Sequence, residues 1–186
     1  MRQKAGEKPV WYLTSLEASA RTAKFSIDEQ AAGFRFRPGV MIDNARLVSI
    51  VQKQPYDNID IATAIGDCVS LCRDTEDALT LLSEDFATVQ GTAKTLGVST
   101  RTLQRKVLRT TGKSPSFWLA LARSRKAVNA LGSKQSLVST AAEYGFSDQA
   151  HLTREVKRWF GLTPGQIRSD PHHLSSILGA GYAIQA

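Results

Sequence analysis

The chain has 186 residues, of which 42% are hydrophobic and 22% charged, as in an ordinary soluble globular protein of one or two small domains. No run approaches the roughly 20 apolar residues of a membrane-spanning helix, and residues 1–21 lack the apolar core of a secretory signal, which predicts a cytoplasmic protein. The net charge of +7 is uneven: residues 99–168 carry thirteen Lys or Arg against three Asp or Glu, whereas the rest carries eleven against fourteen. This concentration favours a polyanionic partner.

The N-terminal third contains strand and helix patterns. Within residues 25–39, Phe34 and Phe36 alternate with Arg35 and Arg37, which predicts a strand with one apolar face that ends at a Pro-Gly turn. Helices are predicted over residues 40–54, 57–72 and 74–82. The apolar positions that define the first two are Met41, Leu47, Val48 and Val51, then Ile61, Ile65, Cys68, Val69 and Cys72.

The metal-binding residue types are few. Cys68 and Cys72 are the two cysteines, and without partnering histidines they cannot build a zinc site. The histidines, His151, His172 and His173, lack metal-ligand spacing with a carboxylate. We therefore predict no metal and no cofactor, and we interpret the cysteines as buried reduced thiols.

A short unit occurs twice between residues 92 and 168. Its first half recurs after 48 residues and, following one inserted residue, its second half recurs after 49. Two copies of one small domain fit this better than a repeat array. The matched residues are Thr92, Ala93, Gly97 and Ser99 with Thr140, Ala141, Gly145 and Ser147, then Leu103, Arg105, Val107, Arg109, Gly112 and Pro115 with Leu152, Arg154, Val156, Arg158, Gly161 and Pro164.

The first copy is predicted as helix, tight turn, helix. Residues 89–96 form the first helix, Gly97 ends it in the left-handed conformation, and Ser99 or Thr100 caps the next helix. We expect Val98 to pack inward beside the turn. The second helix, residues 101–110, is apolar on one side and polar on the other. Its apolar residues are Leu103, Val107 and Leu108, and its polar residues are Arg101, Gln104, Arg105, Lys106 and Arg109.

The second copy repeats this plan. Residues 137–144 form the first helix, Gly145 the turn, Phe146 an inward anchor, and Ser147 or Asp148 the cap. Residues 149–160 form the second helix, with Leu152, Val156 and Phe160 on the inner side. On the outer side lie Gln149, Ala150, Thr153 and Arg154, followed by Lys157 and Arg158.

A second helix entered through a glycine turn, with Arg and Gln on its outer side, is typical of the helix-turn-helix motif. Arg makes two hydrogen bonds to guanine and Gln makes two to adenine. The cations assigned to phosphates are Lys106, Arg109, Lys157 and Arg158. One copy alone fits a helical hairpin with a solvated basic face equally well, but two copies argue against that interpretation.

The connection between the copies is predicted as a helix. Ser114 caps it, Pro115 takes the first helical position, and residues 117–131 follow without a breaker until Gly132. Such a helix spans roughly 25 Å, so one monomer could reach adjacent major-groove faces about 34 Å apart. The core residues are Phe117, Trp118, Leu121, Val128 and Leu131. Those that either contact phosphates or only solvate the helix are Arg123, Arg125 and Lys126.

Residues 92–168 resemble the C-terminal DNA-binding domain of the AraC/XylS family of bacterial transcription regulators. The resemblance is carried by A-K-T-L-G-V-S-T-R-T-L-Q-R-K-V (93–107), T-G-K-S-P (111–115), R-S-R-K-A (123–127) and A-A-E-Y-G-F-S-D-Q-A-H-L-T-R-E-V-K-R-W-F-G-L-T-P-G-Q-I-R (141–168). The sequence departs from the family at Val107, Leu152 and Val156, where phenylalanine is frequent.

The resemblance implies a mostly α fold of seven helices, in which a linker helix joins two helix-turn-helix units. By motif it also implies seven base-contacting residues: Arg101, Gln104, Arg105, Gln149, Ala150, Thr153 and Arg154. Ala150 cannot hydrogen-bond a base, so it offers at most contact with a thymine methyl.

Together with composition, the resemblance divides the chain into three parts. Residues 1–72 form a short α(+β) region like the tail of a sensor domain, too short for an effector-binding barrel, so a shortened regulator of unidentified effector is predicted. Residues 73–170 form the DNA-binding domain. Residues 171–186 are small and uncharged and are predicted as a loose C-terminal tail.

Three functions stay open at this point. The first is a sequence-specific regulator that inserts two recognition helices into adjacent major-groove segments of a promoter. Family tendency makes it an activator and makes RNA polymerase a candidate partner besides double-stranded DNA.

The second is a fused enzyme, such as a cysteine-based DNA-repair alkyltransferase. It would need a Pro-Cys-His-like setting and a zinc cysteine cluster, and the sequence has neither, so we predict no enzyme. The third is a non-specific nucleic-acid or protein-interaction module.

Overall fold

The computed structural model of the chain describes residues 2–4, 7, 10–12, 14, 17, 19–20, 26–31, 36, 39–53 and 61–179. Among these residues, the N-terminal third contains two antiparallel two-stranded sheets and two helices. One sheet pairs β1 (Arg2–Lys4) with β2 (Glu29–Ala31), and the other pairs β3 (Val40–Ile42) with β4 (Val69–Leu71). Between β3 and β4 lie α1 (Asn44–Lys53) and α2 (Ile61–Gly66).

The remainder is helical, which confirms the predicted mostly α fold. Seven helices lie between residues 73 and 170, the number that the family resemblance implied, and an eighth follows them. They are α3 (Arg73–Leu82), α4 (Val89–Thr95), α5 (Thr100–Thr111), α6 (Pro115–Ala130), α7 (Leu137–Glu143), α8 (Gln149–Phe160), α9 (Pro164–Ser169) and α10 (Pro171–Gly179). Within the described ranges, none of the helices has the length and apolar composition to cross a membrane.

The linker helix α6 divides its apolar side chains between two cores. Trp118 and Leu121, in its first half, pack with buried residues of α3, α4 and α5. Val128 and Leu131, at its other end, pack with buried residues of α7, α8 and α9. We call α4 with α5 the first unit and α7 with α8 the second unit. Because both cores include α6, each unit packs against the same linker helix.

Two of the N-terminal helix predictions were wrong in part. Residues 40–42 form β3 instead of the start of a helix, and Met41 is 52% exposed. Leu47 and Val51 are buried in α1, as predicted. The predicted helix over residues 57–72 is confined, among the described residues, to α2, and β4 replaces its end. Short apolar runs such as V-M-I and V-S-L fit the periodicity of a helix and that of a strand equally well. Here they form strands because they pair with each other.

The predicted Phe/Arg strand is largely untested. Phe34, Arg35 and Arg37 lie outside the described residues, and Phe36 is in irregular backbone packed against the N-terminal core. The observed strand lies earlier, at Glu29–Ala31.

The C-terminal segment differs from the predicted loose tail. Its first nine residues form α10, in which Leu174 and Ile177 pack against the second core. These two residues lie three positions apart, on one helix face, a spacing that composition alone does not reveal. Residues 180–186 lie outside the described ranges.

Candidate nucleic-acid interface

The two units share one turn geometry. After α4, Gly97 takes φ +66° and the Val98 N–H donates to the Ala93 carbonyl at 3.0 Å. After α7, Gly145 takes φ +70° and the Phe146 N–H donates to the Ala141 carbonyl at 2.8 Å. Both glycines also donate to the carbonyl three residues earlier, which completes the Schellman arrangement that ends a helix. The predicted helix, glycine turn and helix are therefore confirmed in both copies.

The inserted residue of the second copy lengthens its turn. In the first unit, Ser99 caps α5 by accepting from the Thr102 N–H at 3.1 Å. In the second, its sequence counterpart Ser147 is not the cap; the Asp148 carboxylate accepts from the His151 N–H at 2.6 Å. Ser147 Oγ lies 3.1 Å from the Nδ1 atom of the same histidine. The His151 N–H bond also lowers the pKa of the Asp148 carboxyl.

The residue after the glycine behaves differently in the two turns. Phe146 is the predicted inward anchor and is only 5% exposed. Its ring lies below the Arg123 guanidinium, 4.8 Å from the ring centroid, and meets the His151 ring edge-on. The inward placement predicted for Val98 was wrong, since it is 38% exposed.

The recognition helices place their apolar residues much as predicted. Leu103 and Val107 of α5 and Leu152 and Val156 of α8 are fully buried. The expectation that Leu108 joins them was wrong, since it is 53% exposed. It follows Val107 directly and therefore lies about 100° around the helix from the buried stripe.

The predicted base-contacting side chains lie on the solvent side of α5 and α8. Six of them are exposed and Thr153 is half-buried. The Thr153 hydroxyl donates to the Gln149 carbonyl at 2.8 Å. The exposed residues are Arg101, Gln104, Arg105, Gln149, Ala150 and Arg154.

The four cations assigned to phosphates differ in their surroundings. Arg109 and Lys157 are exposed. Lys106 forms an ion pair with Asp74 of α3, and that ammonium lowers the pKa of the Asp74 carboxyl. The Arg158 guanidinium lies 5.0 Å from the Trp159 ring centroid, and its Nη1 is 3.4 Å from a Glu155 carboxylate oxygen. Lys106 and Arg158 therefore each have an acidic partner within the chain.

Contacts from α6 hold the second turn. Arg123 donates from Nη1 to the Gly145 carbonyl at 3.1 Å, in addition to lying over Phe146. Lys126 forms an ion pair with Asp85, in the loop before α4. From the sequence we expected Arg123 and Lys126 either to contact phosphates or only to solvate the helix. Nothing in the sequence indicated their contacts with Gly145 and Asp85. Arg123 thus positions the turn that precedes α8.

Three further hydrogen bonds join α5 and α9 to the linker helix and to the loop that follows it. Trp118 of α6 donates from Nε1 to the Thr111 hydroxyl, at the end of α5, at 3.0 Å. Arg168 of α9 donates to the carbonyls of Leu131 and Gln135, at 3.3 and 2.8 Å, across the connection from α6 to α7. The first bond thus joins the end of α5 to α6, and the other two join α9 to the end of α6 and to the start of the loop before α7.

The cysteines are free thiols away from these helical faces. Cys68 is buried, as predicted, whereas Cys72 is half-buried. They do not share the predicted helix, since Cys68 lies in a turn and Cys72 precedes α3. A hydrogen bond from the Thr75 hydroxyl, 3.3 Å from Sγ, lowers the pKa of the Cys72 thiol. In the described part of the chain, no group of three or more His, Cys, Asp or Glu could hold a metal ion.

Comparison with known proteins matches this same region. A family model described as a helix-turn-helix domain covers residues 92–170. The HTH-type transcriptional regulator RipA of Corynebacterium glutamicum is 41% identical over 81 residues, which is 44% of this chain and 23% of that protein. The virulence regulon transcriptional activator VirF of Yersinia enterocolitica is 41% identical over 58 residues, 31% of this chain and 21% of that protein.

The chain is also similar to solved structures. One of them is a transcriptional regulator with an AraC-type DNA-binding domain from Chromobacterium violaceum, 26% identical with a TM-score of 0.49, and the match covers 52% of this chain and 90% of that one. The chain thus spans less than a quarter of the length of the two curated relatives.

Proposed function

We propose that residues 92–170, which match a helix-turn-helix domain model, form a DNA-binding domain of the AraC type and that this chain is a sequence-specific transcription regulator. It inserts α5 and α8 into adjacent major-groove segments of a promoter, in the cytoplasm where bacterial DNA lies. Both curated relatives carry the name of a transcription regulator or activator, a class that is not enzymatic.

The duplicated turn is the observation that supports this proposal most. Two units with the same glycine conformation and backbone bonds each present the polar side of their second helix to solvent. A single solvated helix needs no such duplication. Two helices that bind successive major grooves from one linker helix do need this duplication, because the major groove recurs along one side of DNA about every 34 Å.

The proposed base readers are the seven residues predicted from the motif. Arg101, Arg105 and Arg154 suit guanine, and Gln104 and Gln149 suit adenine, because each pairing forms two hydrogen bonds. The exposed positions of these five side chains support that assignment. Ala150 and Thr153 complete the set.

The proposed phosphate contacts are Lys106, Arg109, Lys157 and Arg158. Their exchange of counterions for phosphates makes binding salt-dependent. In the free protein, Lys106 pairs with Asp74 and Arg158 lies beside Glu155. We expect DNA phosphates to replace these two carboxylates when the protein binds.

A binding-site selection tests the proposal. The chain is used to enrich sites from random DNA, and Arg105→Ala and Arg154→Ala are then measured on the enriched site. Each variant should lose about 1–3 kcal/mol of specific binding free energy, because a bidentate contact to a base is removed. Arg46→Ala is the matched control, since Arg46 is an exposed arginine of α1 outside both units.

Two results would contradict this. Equal affinity for random and enriched DNA at one salt concentration would indicate a non-specific binder. If both variants bound the enriched site as tightly as the parent, Arg105 and Arg154 would not be base-contacting residues.

We further propose that the regulator is an activator that contacts RNA polymerase. The support is the activator name of one relative, which matches only part of this chain. Transcription in vitro from a promoter with the enriched site upstream measures the direction of the effect. Higher transcript yield with added protein is expected, and lower yield would make the chain a repressor.

A further inference from the structure

We propose that the two recognition helices read different chemistry: α5 reads hydrogen-bonding groups, whereas Ala150 and Thr153 of α8 read the methyl groups of thymine. This inference rests on the proposed function, since it concerns which base edges the second unit selects.

The internal repeat makes the comparison direct. At an offset of 49 residues, Ala150 is the counterpart of Arg101, and Thr153 is the counterpart of Gln104. The first unit therefore has two long hydrogen-bonding side chains where the second has two short ones that end in methyl groups. The next position is arginine in both units, Arg105 and Arg154, whereas Gln149 stands where the first unit has Thr100.

The hydroxyl of Thr153 is already engaged. It donates its one proton to the Gln149 carbonyl, 2.8 Å away, one turn earlier on α8. No proton remains to donate to a base: the oxygen can still only accept a hydrogen bond, and the Cγ2 methyl is the apolar group that the side chain offers. Ala150, three residues before Thr153, is exposed and also ends in a methyl. Residues three apart are neighbours on a helix surface, so the two form one small apolar patch.

A methyl patch in the major groove has one natural target. Thymine is the base whose major-groove edge carries a methyl, at C5, and apolar side chains contact it there. Gln149 and Arg154 flank the patch and are exposed, so they can hydrogen-bond the neighbouring bases. The half-site of α8 should therefore contain thymine at the steps that face Ala150 and Thr153.

Deoxyuridine substitution tests this, because it removes the methyl and leaves every hydrogen-bonding group of the base in place. The full chain first selects its site from random DNA, and the half-site whose base preference changes in Arg154→Ala is assigned to α8. Thymines of that half-site are then replaced by deoxyuridine one at a time. Each methyl that meets the patch should contribute about fourfold in affinity, the value of one buried methyl group. Thymines of the α5 half-site are the control, and replacing them should leave affinity unchanged.

Two matched variants separate the methyl of Thr153 from its hydroxyl. Thr153→Val keeps a methyl at that place and removes the hydroxyl, so it should retain the preference for thymine over deoxyuridine. Thr153→Ser keeps the hydroxyl and removes the methyl, so the preference at that step should fall to nearly one. Circular dichroism of both variants checks that α8 is intact.

The outcomes are distinct. A selected site without thymine in the α8 half, equal affinity for thymine and deoxyuridine there, or loss of the thymine preference in Thr153→Val with its retention in Thr153→Ser would each overturn this inference and leave the proposed function standing. Failure to select any site would overturn the proposed function and this inference with it.

Discussion

Asp148 illustrates how a single residue starts a recognition helix. The inserted residue of the second copy would leave the first turn of α8 uncapped if Ser147 kept the role of Ser99. Asp148 takes that role instead, and its carboxylate accepts the His151 N–H while it meets the positive end of the helix dipole. The cap of the second unit is therefore charged, whereas that of the first unit is a neutral hydroxyl.

Stability at low pH should report this difference. Because the folded pKa of Asp148 lies below the ordinary value of 3.8, its contribution is fully present above that value and is lost as the pH falls through the folded pKa. Asp148→Asn keeps an oxygen acceptor but does not titrate. Denaturant unfolding of both proteins from pH 6 downward should give a steeper acid loss of unfolding free energy for the parent. Parallel curves would mean that the carboxylate charge contributes nothing.

The turn glycines act at the scale of the element. Gly97 and Gly145 adopt positive φ, and a Cβ added to either would meet nothing within 4 Å. The need for glycine is thus one of backbone conformation, without any steric contribution from neighbours. Left-handed backbone costs an ordinary residue roughly 1–2 kcal/mol.

Gly97→Ala and Gly145→Ala should each lower the free energy of unfolding by about 1–2 kcal/mol. Gly165 of α9 offers a matched control, because a Cβ there also meets nothing and its φ is not in the left-handed region. Gly165→Ala should be neutral or stabilising by up to about 1 kcal/mol. Urea unfolding measures all three, and equal effects at the three positions would argue against a conformational cause.

The sequence predicts elements well where local chemistry determines them. Gly97 and Leu103, with their counterparts, mark a stop and a buried stripe from spacing alone, and Ser99 marks the cap of α5. Predictions fail where distant residues decide: β3 and β4 form because they pair with each other. The same holds at the interface, since the ion pair of Lys106 and the contact of Arg123 with Gly145 depend on α3 and α7 being packed beside them.

At the scale of the whole molecule, the linker helix fixes how far apart the units stand. Trp118 bonds α6 to the end of α5, and Arg123 bonds it to the turn before α8. Both bonds are supported by a core that includes α6. A monomer built in this way has little freedom to adjust to half-sites at a different spacing.

Inserting five base pairs between the half-sites should therefore reduce affinity to that of one half-site, since it turns the second groove by about half a helical turn. Gel-shift titration of the enriched site, of the lengthened site and of each half-site alone measures this. A lengthened site that binds as tightly as the original would show that the units move independently on α6.

The two ends of this monomer are not interchangeable, since Arg101 and Gln104 stand at one end where Ala150 and Thr153 stand at the other. A twofold dimer reads a palindrome alike in both directions, whereas a chain with unlike ends imposes a polarity on its site. Inverting an operator in place would then turn the bound protein end for end relative to the start of transcription. Orientation, and not only distance from the gene, becomes something that a promoter can encode.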